Sequence, residues 1–129
     1  GPNGGGGFIA FGEVEIAGKS TVNISNSHAE TGDGGGFYAE KGLKVSTGSK
    51  LNIRNAKAGQ DGGGFSARGG FYAESIVISS SNLSIQDAIA GERGGGFAAG
   101  VVMIEASTVA MFSTDAGAYG GAFAVIGLR

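Results

Sequence analysis

Along this chain apolar residues alternate with others in short bursts, and the bursts recur in a fixed order. In the stretch 34–61 the apolar pairs are Phe37 and Ala39, then Leu43 and Val45, then Leu51 and Ile53. A period of two over segments too short for a helix predicts β-strands. Gly- and Ser-containing breaks at Lys41-Gly42, Thr47-Gly48-Ser49 and 59–64 separate them, as turns would. The same frame places second-strand pairs at Val14/Ile16, Ile76/Ile78 and Val102/Ile104, and third-strand pairs at Val22/Ile24, Leu83/Ile85 and Val109/Met111.

The frame is punctuated by Gly-Gly-Gly-Phe, which ends at Phe8, Phe37, Phe65 and Phe97, and by the variant Gly120-Gly121-Ala122-Phe123. Successive Phe residues are 29, 28, 32 and 26 positions apart, a period that signals a solenoid whose repeats bury their apolar faces on one another. The expected fold is all-β: a right-handed parallel β-helix with three short strands per coil, about four coils and the start of a fifth. Gly1-Pro2 reads as the scar of a cleaved expression tag. Residues 3–129 read as a single domain, with repeats at about 5–33, 34–61, 62–93 and 94–119 and a partial repeat at 120–129. The chain thus reads as a fragment of a longer repeat protein.

Stacking the repeats sets like residues in columns. An inner aromatic ladder of Phe8, Phe37, Phe71, Phe97 and Phe123 is expected. Phe71 is preferred to Phe65 because its interval to Ile76 equals that from Phe97 to Val102; the stretch 65–70 would then bulge out. Two polar columns flank the third strand: Ser20, Ser49, Ser81 and Ser107 before it, and Asn26, Asn55 and Asp87, with Ser113, after it. Both read as turn caps that bond the backbone or each other along the axis.

At this point the pattern resembles the repeats of the polymorphic outer membrane proteins of chlamydiae. Gly-Gly-Gly-Phe stands where that family has a Gly-Gly-Ala-Ile-type tetrapeptide. In the family's second motif, Phe-x-x-Asn, Ile53 takes the Phe position; Asn55 and Ala58 match frequent neighbours, while Ala56 replaces the defining Asn. The resemblance implies a right-handed β-helix passenger with a surface-exposed, adhesive role, and hence an extracellular or cell-surface location.

Composition narrows the chemistry. Nine basic and eleven acidic residues give a net charge of -2, without the basic footprint of a nucleic-acid or anionic-membrane partner. No apolar run is long enough to insert in a membrane as a helix. There is no Cys, hence no disulfide or thiolate site. His28, the single His, reads as a turn residue. Asp33 and Asp61 precede Gly-Gly-Gly, but the period does not fit Ca²⁺-binding nonapeptides. No metal, cofactor or catalytic residue is expected.

Polysaccharide-cleaving enzymes of the pectin-lyase-like β-helix fold need clustered carboxylates on an outer face. Glu40 and Glu74, equivalent in the Phe-Tyr-Ala-Glu frame of 37–40 and 71–74, are the nearest approach to that. With outward Tyr38 and Tyr72 they mark a candidate contact surface for a carbohydrate or protein ligand. Overall the chain reads as a non-enzymatic structural or adhesive module. The alternatives are self-association through uncapped end coils and a carbohydrate-active or carbohydrate-binding β-helix.

Overall fold

The computed structural model describes residues 8–10, 12–30, 32–67, 76–117 and 123–128. In chain order the strands are β1 (Phe8–Ala10), β2 (Val14–Ile16) and β3 (Thr21–Ala29); β4 (Phe37–Ala39), β5 (Leu43–Val45) and β6 (Lys50–Ala58); β7 (Phe65–Ala67), β8 (Ile76–Ser79), β9 (Asn82–Gln86) and β10 (Ile89–Ala90); β11 (Phe97–Glu105), β12 (Thr108–Phe112) and β13 (Asp115–Ala116); and β14 (Phe123–Leu128). There is no helix among the described residues. Each pairing is parallel and joins a strand to its counterpart in a neighbouring repeat. The chain is a parallel β-solenoid.

Two sheets carry the coils. One runs β1-β4-β7-β11 and returns β8-β5-β2, because the nine-residue β11 passes unbroken through both the first and the second strand positions. The other joins β12-β9-β6-β10-β13, with β3 on β6. Here the structure adds to the three-strand coil expected from sequence. Residues 27–29 of β3 and 56–58 of β6, together with β10 and β13, form a fourth short ladder. Asn26, Asn55 and Asp87, each at φ 55°, and Ser113 at 54° mark the corner that separates it from the third ladder. Left-handed backbone costs most residues roughly 1–2 kcal/mol, and Asn and Asp tolerate it best because their short polar side chains bond locally.

Register places like on like. Leu51 pairs with Leu83, Ile53 with Ile85 and Ala58 with Ala90. Inward side chains of the middle repeats are fully buried: Leu43, Val45, Leu51, Ile53, Ile76, Ile78, Leu83 and Ile85 are at most 1% exposed. Each contributes roughly 1.5–3 kcal/mol of hydrophobic stabilisation. Their counterparts Val14, Val22 and Ile24 at one end, and Val109 and Met111 at the other, are only partly buried. A coil stacked on one side alone leaves half of its face uncovered.

The aromatic ladder is in register through Phe8, Phe37, Phe65, Phe97 and Phe123. This corrects the expectation for Phe71, which lies outside the described residues. The rings of Phe37 and Phe65 are 4.9 Å apart and 1° from parallel; those of Phe65 and Phe97 are 5.2 Å apart at 10°. Their separation follows the strand spacing of about 4.8 Å. Phe65 takes the place because the glycines before it are locked to their neighbours. Gly36 N donates to Gly64 O, and Gly64 N to Gly96 O, both at 2.6 Å. With 62–64 held between two such triplets, the next residue, Phe65, has to enter the column. The stretch 65–70 consequently does not bulge as a unit, since 65–67 is strand β7. The residues added to this repeat fall between Ala67 and Ile76.

Candidate functional site

Three polar columns run along the solenoid, and each directs its hydrogen bonds to the neighbouring repeat. In the serine column the backbone amide of Ser20 donates to Ser49 Oγ at 3.2 Å, Ser49 N to Ser81 Oγ at 3.3 Å and Ser81 N to Ser107 Oγ at 3.1 Å. Ser81 and Ser107 hydroxyls in turn donate to the carbonyls of Ser79 and Glu105. Ser49 is fully buried, so the neighbouring repeat supplies what water cannot.

A second column lies before the glycine triplets. Asp33 Oδ1 accepts from Asp61 N at 3.0 Å, and Asp61 Oδ1 accepts from Arg93 N at 3.1 Å. Arg93 closes the arrangement with a forked ion pair back to Asp61, Nη2 to Oδ2 at 2.7 Å. The two aspartates therefore cap backbone. Among the described residues, no three His, Cys, Asp or Glu side chains converge as a metal site would need.

The third column is the asparagine corner, where Asn55 Nδ2 donates to Asn26 Oδ1 at 2.6 Å. It joins two of the residues of the ladder read from sequence, Asn26 and Asn55, and Asp87 shares their left-handed backbone. Sequence reasoning missed the reason for it, the left-handed backbone at each step. A clue was available in the recurrence of Asn, Asn, Asp and Ser, residue types that carry such corners.

Of the expected contact surface, Tyr38 and Glu40 fall among the described residues. Tyr38 is 7% exposed, which corrects its reading as an outward platform. It sits on the middle strand β4 and pairs with Ile9 and Ser66, and Ser66 is itself buried. Tyr72 and Glu74 lie outside the described residues. The frame that made Glu40 and Glu74 equivalent is superseded, because β4 pairs with 65–67. Glu40 is exposed, and its amide donates to Ala10 O at 2.8 Å. His28 lies on strand β3 beside Lys57, not in a turn.

A different surface stands out instead: the outer face of β3, β6, β9 and β12. Three outward columns cross it, Thr21-Lys50-Asn82-Thr108, Asn23-Asn52-Ser84-Ala110 and Ser25-Arg54-Gln86-Phe112. Asn52 Nδ2 donates to Asn23 Oδ1 at 2.9 Å, and a shallow groove of about 380 Å³ lies between the second and third columns. Phe112, at the end of the third column, is 62% exposed. Searches against family models, curated proteins and solved structures return no match to this chain.

Proposed function

We propose that this chain is a non-enzymatic structural module, a β-solenoid spacer within a longer surface or secreted repeat protein. The observation that carries the reading is the axial direction of its polar hydrogen bonds. At successive levels each serine hydroxyl caps a backbone amide of the preceding repeat and each aspartate one of the following repeat, a device that organises stacking and extends with repeat number. The surface location rests on the resemblance of the Gly-Gly-Gly-Phe repeats to bacterial surface passengers.

The test is to insert a second copy of residues 34–61 between Asp61 and Gly62. A nearest-neighbour solenoid gains one more coil and one more interface, so the melting temperature rises and small-angle scattering shows a longer particle. An unfolded or aggregated product would overturn the spacer reading.

Self-association is a second reading, supported by the edges of the second sheet. Among the described residues the nine-residue β3 pairs only with β6, β12 only with β9 and β13 only with β10. Their outer backbone groups can template another chain. Sedimentation across a hundredfold concentration range should show reversible association, and a strict monomer would exclude it.

A further inference from the structure

The outer face of β3, β6, β9 and β12 differs in charge from the rest of the molecule. The chain as a whole is negative, at -2, yet none of the outward positions in these three columns is Asp or Glu, two are Lys50 and Arg54, and the exposed Lys57 follows on β6 past the Asn55 corner. Lys50 and Arg54 are exposed, and among the described residues neither has a carboxylate partner. They are four residues apart on β6, so they point the same way about 13 Å apart at the usual strand rise. In the other columns Ser49, Ser81, Ser107, Asn26, Asn55, Asp33 and Asp61 are engaged by a neighbouring repeat. Here Ser25, Arg54, Ser84 and Gln86 have no side-chain partner among the described residues, and they line the groove.

We propose that this face binds an anionic polysaccharide, a chain of sugars bearing carboxylates or sulfates. The chemistry is complementary at three levels. Arg54 offers a planar fork that matches a carboxylate or sulfate in two parallel hydrogen bonds, and Lys50 meets a second anionic group further along the same strand. Asn52 between the two cations, with Ser84 beside it and Gln86 beside Arg54, presents mixed donors and acceptors to sugar hydroxyls. Phe112, continuing the Arg54-Gln86 column, provides an apolar ring face for the C–H side of a sugar. A nucleic acid would call for a broader basic stripe than two cations. The inference goes beyond the spacer reading: a spacer that binds nothing remains a spacer, and the experiment separates the two.

Calorimetric titration at low salt would use a galacturonate hexamer and a heparin-derived hexasaccharide, which distinguish carboxylate from sulfate recognition. A chitin hexamer and single-stranded DNA serve as the neutral and the non-sugar control. At least one anionic sugar should bind at least tenfold tighter than either control and lose most of its affinity in 0.5 M salt as the charges are screened. The variant carrying Lys50→Gln and Arg54→Gln should lose at least tenfold, and Phe112→Ala about threefold, with melting temperatures unchanged. If the double variant does not fold, Arg54→Gln alone is read, with an expected loss of at least threefold. No binding of either anionic sugar, equal binding of DNA, or full affinity in the folded charge variant would overturn the proposal.

Discussion

The carboxylate of Asp61 holds Arg93 at two places at once: Oδ1 accepts the backbone amide at 3.1 Å and Nε at 3.2 Å, while Oδ2 accepts Nη2 at 2.7 Å. The two bonds differ in worth. The Arg93 side chain is 52% exposed against 15% for Asp61, so the ion pair is screened and contributes at most about 1 kcal/mol. The amide bond to a charged, largely shielded acceptor contributes about 1.5–3 kcal/mol. Asp61→Ala should therefore cost more in urea unfolding than Arg93→Ala, and Asp61→Asn should fall near the milder of the two, since an amide oxygen still caps Arg93 N. Equal losses for Asp61→Ala and Arg93→Ala would assign the contribution to the ion pair.

Phe65 is fully buried between two parallel rings. Neighbouring repeats are fixed by their own backbone ladders and cannot collapse into a void, so Phe65→Ala should cost about 3–5 kcal/mol. Equilibrium unfolding in urea measures it. A loss below 1 kcal/mol would mean that the column tolerates a gap there.

The solenoid was legible in the sequence because its cause is periodic: inward Leu, Ile and Val recur at a spacing that only stacking satisfies. Leu51 over Leu83 and Ile53 over Ile85 could be written down from the repeat frame alone. The choice between Phe65 and Phe71 could not, because interval counting weighs the strand that follows, while the structure obeys the glycine triplet that precedes. Tyr38 shows a second limit. Alternation tells which way a side chain points and leaves open whether that side is covered. The groove face does not stand out from the repeat frame alone. Its charge asymmetry becomes visible when Lys50 and Arg54 are set against the neighbouring columns, where no carboxylate stands.

Ser27 carries a buried hydroxyl with no hydrogen-bond partner among the described residues. Its register partner is Ala56, which is fully buried. A buried polar group without a partner costs about 1–3 kcal/mol, and Ala already fits this column one repeat on. Ser27→Ala should consequently stabilise the fold, by about 1 kcal/mol for a hydroxyl near an end coil, and raise the melting temperature by several degrees. A drop in melting temperature would show that the hydroxyl has a partner in the folded protein.

The glycines of the triplets 34–36 and 62–64 are all crowded by backbone, whereas Gly12, outside the triplets, is not, so Gly63 and Gly12 make opposite predictions. At Gly63 a Cβ would overlap the carbonyl oxygen of Gly95 and sit 2.7 Å from both the backbone nitrogen and the carbonyl carbon of Ile89. These are backbone atoms fixed by the ladder, with Gly63 N donating to Gly94 O at 2.9 Å, so no side chain can move aside. Gly63→Ala should cost at least about 3 kcal/mol, the upper end of overpacking. At Gly12 an added Cβ meets nothing within 4 Å and the backbone is not left-handed. Gly12→Ala should stabilise by about 0.4–1 kcal/mol through the lower entropy of the unfolded chain. Thermal melts of the two variants side by side decide the matter: a Gly63→Ala variant as stable as the parent would show that this triplet glycine is not constrained by the close approach of neighbouring coils.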